Sequence, residues 1–159
     1  MKYIVIQSFI GTGTWFGLEP NESLAKLYDD VLIPSFARYC KRNNYKHVVY
    51  KEQLEIIEMA NKKYGAEHGN LYHQYLAALK HKDEEADFFV FPDSDFYVTQ
   101  NAMPFPETNY LAGAPWKEES LKRRGKDPKT FKAIYGGIQI MTKSAAMDLG
   151  EYLFERFKN

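Results

Sequence analysis

Phe88-Phe89-Val90-Phe91-Pro92-Asp93-Ser94-Asp95 is the stretch of sequence that decides the fold. Its first four residues form the most apolar run of the chain, which predicts a strand at the centre of a sheet, buried on both faces. The chain then turns polar at once, so we expect Asp93 and Asp95 to emerge from the carboxyl end of that strand. In open α/β sheets, ligands bind at this end of the strands.

Further strands and helices alternate along the first hundred residues, which favours an α/β domain around a mostly parallel sheet flanked by helices. Short apolar runs predict strands at residues 3–6, 48–50, 110–114 and 137–141. Helical spacing of apolar residues predicts helices over 22–42, over about 52–63, after Asn70 and from about 144 to the end. Pro34 interrupts the first helical pattern and predicts a kink or two abutting helices. We expect one domain spanning residues 1–159.

The charge balance, the cysteine count and the lengths of the apolar runs limit the partners and the compartment that we expect for this protein. The 21 basic and 21 acidic residues of the 159-residue chain cancel, whereas binding to nucleic acid or an anionic membrane normally requires a positive surplus. The single cysteine, Cys40, excludes an intramolecular disulfide and is typical of a reducing compartment. No apolar run approaches the ~18 residues of a membrane span. We therefore expect a soluble, cytoplasmic protein with no nucleic-acid partner.

The two aspartates suggest a metal site. Alternate residues of an extended segment point the same way, so Asp93 and Asp95 would converge on one hard cation, Mn²⁺ or Mg²⁺. Such a cation takes its remaining ligands from water and from substrate phosphates. The alternative interpretation is an acidic turn that closes a strand, since Asp and Ser favour turns.

Residues 87–98 resemble the D-x-D segment of GT-A-fold glycosyltransferases. Three other stretches are similar to segments of that family: the passage from helix to second strand, the helix before the D-x-D strand, and the strand that lines the donor-sugar pocket. They lie at 36–45, 71–76 and 135–141. The resemblance covers residues 2–150 and implies a minimal GT-A-like (Rossmann-like) fold.

This resemblance implies transfer of a sugar from a nucleotide-diphosphate donor, with a UDP-sugar favoured, to an acceptor hydroxyl. It places Asp95 as the principal metal ligand and Asp93 near both the metal and the ribose. The remaining donor-binding positions that it implies are Gln7, Ser8, Phe9 and Ser94 for the nucleotide, and Gly136 and Gly137 for the sugar. Because family members are usually longer, the alternative is a non-catalytic nucleotide-sugar-binding module or the donor-binding half of a larger transferase.

Residues 11–17 read as G-x-G-x-x-x-G and follow the first strand, close to a dinucleotide-binding fingerprint. That motif requires a helix that begins within the glycines. Here residues 18–20 intervene and include Pro20, so a glycine loop beside the nucleotide or a plain surface turn is favoured instead.

Residues 116–132 contain candidates for a diphosphate lid, a sugar contact and a catalytic base, and each has a simpler structural interpretation. Arg123 and Arg124 lie in a basic segment that would act as a lid over the diphosphate, or would be a solvated loop. Trp116 would offer an apolar face to a sugar, or would pack in the core. Glu118 and Glu119 are candidates for the catalytic base by position alone, with a solvent-exposed pair as the alternative.

Overall fold

The computed structural model describes residues 1–10, 22–64, 72–115, 122, 127 and 134–159. These residues form a sheet of five strands: β1 Tyr3–Ser8, β2 Lys46–Tyr50, β3 Phe88–Pro92, β4 Leu111–Pro115 and β5 Ile134–Thr142. The α-helices are α1 Glu22–Leu27, α2 Ile33–Asn43, α3 Glu55–Tyr64, α4 His73–Ala78 and α5 Lys143–Lys158. A π-helical segment, Tyr28–Leu32, joins α1 to α2, and a 3₁₀ turn, Leu79–His81, follows α4.

The strand order is β2-β1-β3-β5-β4. β1 pairs in parallel with β2 and β3, while β5 pairs antiparallel with both β3 and β4. Four of the five described strands therefore point in the same direction. The prediction of an α/β fold with a mostly parallel sheet is confirmed.

The two faces of the sheet are covered by different helices. α2 packs on one face through Phe36, Tyr39 and Cys40, against Val5 and Val90. On the other face, residues of α4 and α5 join alternate strand residues in a second cluster: Ile4, Ile6, Ala77, Ala78, Phe89, Phe91, Met141, Ala145 and Ala146. α3 packs behind α4 and α5. β3 is buried along its whole length, as its apolar sequence predicts.

The helical region before β2 runs without a gap from Glu22 to Asn43 and contains the π-helical turn Tyr28–Leu32. The residues at its two junctions, Leu27, Leu32 and Ile33, have right-handed helical backbone angles. Pro34, which has no N–H to donate, is the second residue of α2 and comes just after this turn. The regular α-helix is thus interrupted just before Pro34 by a π-helical turn within one helical run, and not by two abutting helices. α5 begins with a capping bond in which the Ala145 N–H donates to Thr142 Oγ1 at 3.3 Å.

β1 and β3 separate at their carboxyl ends. They pair only as far as Val5 and Val90. Beyond that point β1 stays paired with β2 as far as Ser8, and β3 stays paired with β5 as far as Pro92. A crevice therefore opens between the two strand ends, at the point where the chain order of the sheet changes direction. In open α/β sheets ligands bind at such a switch point.

Within the described ranges, no helix combines the length and the apolar character needed to cross a membrane.

Gly150 permits the close approach of α5 to α4. A Cβ atom at this position would lie 2.9 Å from Leu79 Cδ2 and 3.0 Å from the carbonyl oxygen of Tyr75. We therefore expect Gly150→Val to destabilise the fold by about 1–3 kcal/mol, the usual range for overpacking a core. Urea denaturation measures this difference. Glu151→Val is the control, because Glu151 is exposed on the same helix; equal losses in the two variants would contradict the packing argument.

Candidate ligand site at the crevice between β1 and β3

The acidic turn, Asp93-Ser94-Asp95, follows β3 directly and lies at the crevice. Its backbone is fixed at two points: the Asp93 N–H donates to the Gly137 carbonyl of β5 at 2.7 Å, and the Phe96 N–H donates back to the Asp93 carbonyl at 3.2 Å. The Asp93 side chain is partly buried, and that of Asp95 is exposed. The turn is thus held to β5 by its backbone, without the use of either carboxylate.

The two carboxyl groups of the turn are close enough to interact electrostatically. Burial raises the pKa of Asp93 to about 6, and the nearby negative charge of Asp95 acts in the same direction. Two carboxylates that repel each other at a strand end form a donor set of the kind that hard cations prefer. Among the described residues, no three His, Cys, Asp or Glu side chains gather at one point. A cation held by Asp93 and Asp95 would thus take its other ligands from water and a bound molecule.

Ser8, at the end of β1, pairs with His73 of α4. Ser8 Oγ lies 2.8 Å from His73 Nδ1, and His73 Nε2 lies 3.2 Å from the carbonyl oxygen of Glu52. A carbonyl only accepts, so Nε2 carries the ring proton, Nδ1 is unprotonated, and the Ser8 hydroxyl donates to it. Burial lowers the pKa of His73 to about 4, which keeps the ring neutral. The free lone pairs of Ser8 therefore offer a ligand an acceptor.

Tyr75 of α4 lies below the acidic turn. Its hydroxyl donates to Gln139 Oε1 of β5 at 2.9 Å, and its ring meets Phe91 edge-on with centroids 4.9 Å apart. Burial raises the pKa of Tyr75, and the charge of Asp93 raises it further. These contacts place Tyr75 between β3 and β5, on the same face of the sheet as Ser8.

Gln7 and Phe9 lie on the opposite face of the sheet from Ser8. Gln7 is fully buried, and its Oε1 accepts from His47 Nε2 at 2.8 Å. Gln7 Nε2 and Tyr28 Oη are both buried without a hydrogen-bond partner among the described residues. The ring of Phe9 stacks on Tyr28, with centroids 3.9 Å apart. Two unsatisfied polar groups thus lie near the end of β1.

The structure brings five of the residues expected from the sequence to one crevice: Ser8, Asp93, Ser94, Asp95 and Gly137. Gly136 belongs to β5 beside Gly137. The other candidates for sugar contact, catalytic base and lid lie outside the described residues: Trp116, Glu118, Glu119, Arg123 and Arg124. The glycine loop 11–17 also lies outside them.

His73 and Tyr75 contact the site, yet sequence reasoning did not single them out. One signal for His73 is present in the sequence. It precedes the buried residues Leu76 and Ala77 by three and four positions, so it lies on the buried face of its helix. A histidine on such a face requires hydrogen-bond partners, which Ser8 and Glu52 supply.

Comparison with known proteins adds evidence on the fold. No protein-family model matches this sequence, and no curated protein matches it either. Among solved structures, the chain is similar to a glycosyltransferase involved in the glycosylation of the major capsid of PBCV-1. The TM-score is 0.51 at 16% sequence identity, and the match covers 98% of this chain and 67% of the other. At this level of identity the two proteins share a fold.

The coupling between the two carboxyl groups gives a testable prediction. Asp93 should titrate near pH 6, and Asp95→Asn should lower the pKa of Asp93 because it removes the repelling charge. The pKa should remain above the ordinary 3.8, since burial is the larger cause. Carboxyl ¹³C NMR measures both values, with Asp93→Asn used to assign the resonance. An unchanged Asp93 pKa in Asp95→Asn would show that the two groups do not interact.

The raised pKa of Asp93 determines how the free energy of unfolding changes with pH. The folded carboxyl binds its proton more tightly than the unfolded chain does. The contribution of Asp93 to stability therefore falls as pH rises from the ordinary pKa of 3.8 towards about 6.

Proposed function

We propose that the protein is a metal-dependent glycosyltransferase with a GT-A-like fold, whose nucleotide-diphosphate-sugar donor binds in the crevice between β1 and β3. One observation carries this proposal. The acidic turn lies at the switch point of a sheet that shares its fold with a glycosyltransferase. Ligand binding at this edge and a paired-carboxylate donor set are both what such a reaction requires.

Asp93 and Asp95 would hold the cation, Mn²⁺ or Mg²⁺. Burial and, to a smaller extent, the charge of Asp95 raise the pKa of Asp93, and a bound cation would favour the ionised form of Asp93. The cation would supply charge neutralisation for the diphosphate leaving group. Since Asp95 is exposed and Asp93 is partly buried, the metal side of the crevice faces solvent, where a phosphate chain has access.

Ser8 would contact the nucleotide at the end of β1. Gln7, which the sequence also predicts to bind the nucleotide, is fully buried on the opposite face of the sheet. Because the Ser8 proton is committed to His73, Ser8 would accept a hydrogen bond from a ribose hydroxyl or from a base N–H. Gln7 Nε2 is a buried donor that no described residue satisfies, and leaving such a group unpaired costs about 1–3 kcal/mol. Because every nucleotide offers hydrogen-bond donors and acceptors, these contacts do not select a base, and the UDP-sugar remains our prediction for the donor.

Sugar binding and transfer would use residues of β5 together with residues outside the described ranges. Gly137, bonded to the acidic turn, and Gly136 would leave room for the sugar, with Trp116 as its apolar face. Glu118 and Glu119 are our candidates for the base that takes the proton of the acceptor hydroxyl as it attacks the anomeric carbon.

Arg123 and Arg124 would stabilise the departing diphosphate, whose negative charge grows as the glycosidic bond to the donor breaks. Both belong to the basic segment that we propose as the lid.

A second candidate is a donor-binding module without transfer activity, or the donor-binding half of a larger transferase. The coverage of the match favours it, because the neighbouring glycosyltransferase extends beyond the region shared with this chain. Both candidates use the same crevice and the same carboxylates.

UDP with Mn²⁺ should stabilise the wild-type protein against heat, and a chelator should remove most of that effect. A ligand at 100 times its dissociation constant adds about 2.7 kcal/mol, which is several degrees for a chain of this size. Asp95→Asn should abolish the Mn²⁺-dependent part, because the amide lacks the charge that a hard cation requires. Thermal unfolding measures the shift.

Asp83→Asn is the matched control, since Asp83 is exposed before β3, at the opposite edge of the sheet. It should respond to UDP and Mn²⁺ as the wild type does. If no nucleoside diphosphate changes the unfolding temperature, with or without metal, the proposed donor site is refuted.

Turnover distinguishes the two candidates. Incubation with UDP-sugars and Mn²⁺, followed by detection of released UDP, should show repeated turnover for a transferase, including slow transfer to water. Saturable binding without release, measured on the same samples by calorimetry, would establish the binding module instead. Asp95→Asn is the negative control in both measurements, because it lacks the proposed metal ligand.

A further inference from the structure

A cavity of about 330 Å³ lies between α2 and residues 97–100, the segment that follows the acidic turn. It is separate from the crevice, because α2 covers the face of the sheet opposite to Ser8 and Tyr75. Its volume is within the range of small-molecule sites. The lining residues are Ser35, Arg38, Tyr39, Arg42, Tyr97, Val98, Thr99 and Gln100.

The walls of this cavity are held in place by hydrogen bonds from α2. The Arg42 guanidinium donates to the carbonyl of Gln100 and, at 2.7 Å, to that of Ala102. Ser35 Oγ accepts from the Val98 N–H at 3.2 Å and donates to a carbonyl of its own helix. The segment is thus tied to α2 at both ends of the cavity, which is therefore preformed.

The lining carries two positive charges and no carboxylate. Arg38 and Arg42 are four residues apart on α2, so they lie on the same side of the helix. Arg42 donates its hydrogen bonds to backbone carbonyls. Because carbonyls carry no net charge, the positive charge of Arg42 is not neutralised. Arg38 is exposed and has no hydrogen bond or ion pair with any residue in the described part of the chain. Its guanidinium is therefore available to a ligand.

The side chains around Arg38 fit a ring bearing an anionic group. A guanidinium matches the two oxygens of a carboxylate or a phosphate in a fork-like, bidentate geometry. Tyr97, which is half exposed, offers a flat apolar surface with a hydroxyl at its edge. We propose that this cavity is a binding site for a small organic anion, in which Arg38 binds a phosphate or carboxylate group and Tyr97 contacts the body of the molecule.

Binding of three related probes tests this site: phenyl phosphate, benzoate and neutral benzyl alcohol. Calorimetry with excess chelator and no nucleotide keeps the measurement independent of the metal and of the crevice. One or both anions should bind saturably, and benzyl alcohol should bind at least about tenfold more weakly, because a charge-assisted hydrogen bond is worth that much. Preference between the two anions identifies the group, phosphate or carboxylate, that the site is built for.

Arg38→Gln should weaken binding of the preferred anion at least about tenfold. Lys41→Gln is the matched control: it removes the same charge from an exposed position of α2 that does not line the cavity. It should change the affinity less than twofold. Thermal unfolding confirms that Arg38→Gln is folded. Absence of saturable binding by both anions, or equal weakening by Arg38→Gln and Lys41→Gln, would overturn the proposal.

Discussion

The parting of β1 from β3 is the constraint on which the rest of the site depends. Each strand end is paired on its outer side only, β1 with β2 and β3 with β5. The inner sides of the two strand ends are therefore left without a partner strand. α4 lies below this gap and contacts both strands, Ser8 through His73 and Phe91 through Tyr75. A crevice with polar walls and a packed floor follows from the pairing of the sheet.

Burial shifts the pKa of two polar groups at this crevice. It keeps His73 uncharged, and the contacts with Ser8 and Glu52 hold the ring in one tautomer. Asp93 binds its proton more tightly than an ordinary carboxyl does. Desolvation of this kind has a cost that a cation or a polar ligand recovers, which is why perturbed groups gather at functional sites.

The sequence predicts the α/β class and the position of the acidic turn because both depend on local pattern. The run Phe88–Pro92 is too apolar for any place but the middle of the sheet, and Pro34 interrupts the regular α-helical pattern by backbone chemistry alone. The contacts of Ser8 with His73 are different, because they join residues 65 positions apart. Only the packing of α4 against β1 creates them, so a pattern along the chain indicates that His73 is buried but not what it touches.

Gly150 supports the floor of the crevice from behind. The close packing of α5 on α4 depends on this residue, because a Cβ atom here would meet Leu79 and the carbonyl of Tyr75. α4 in turn carries His73 and Tyr75, which contact the two strands at the crevice. A substitution at position 150 would therefore show whether the crevice depends on the helix packing behind it, without changing any group that a ligand would touch.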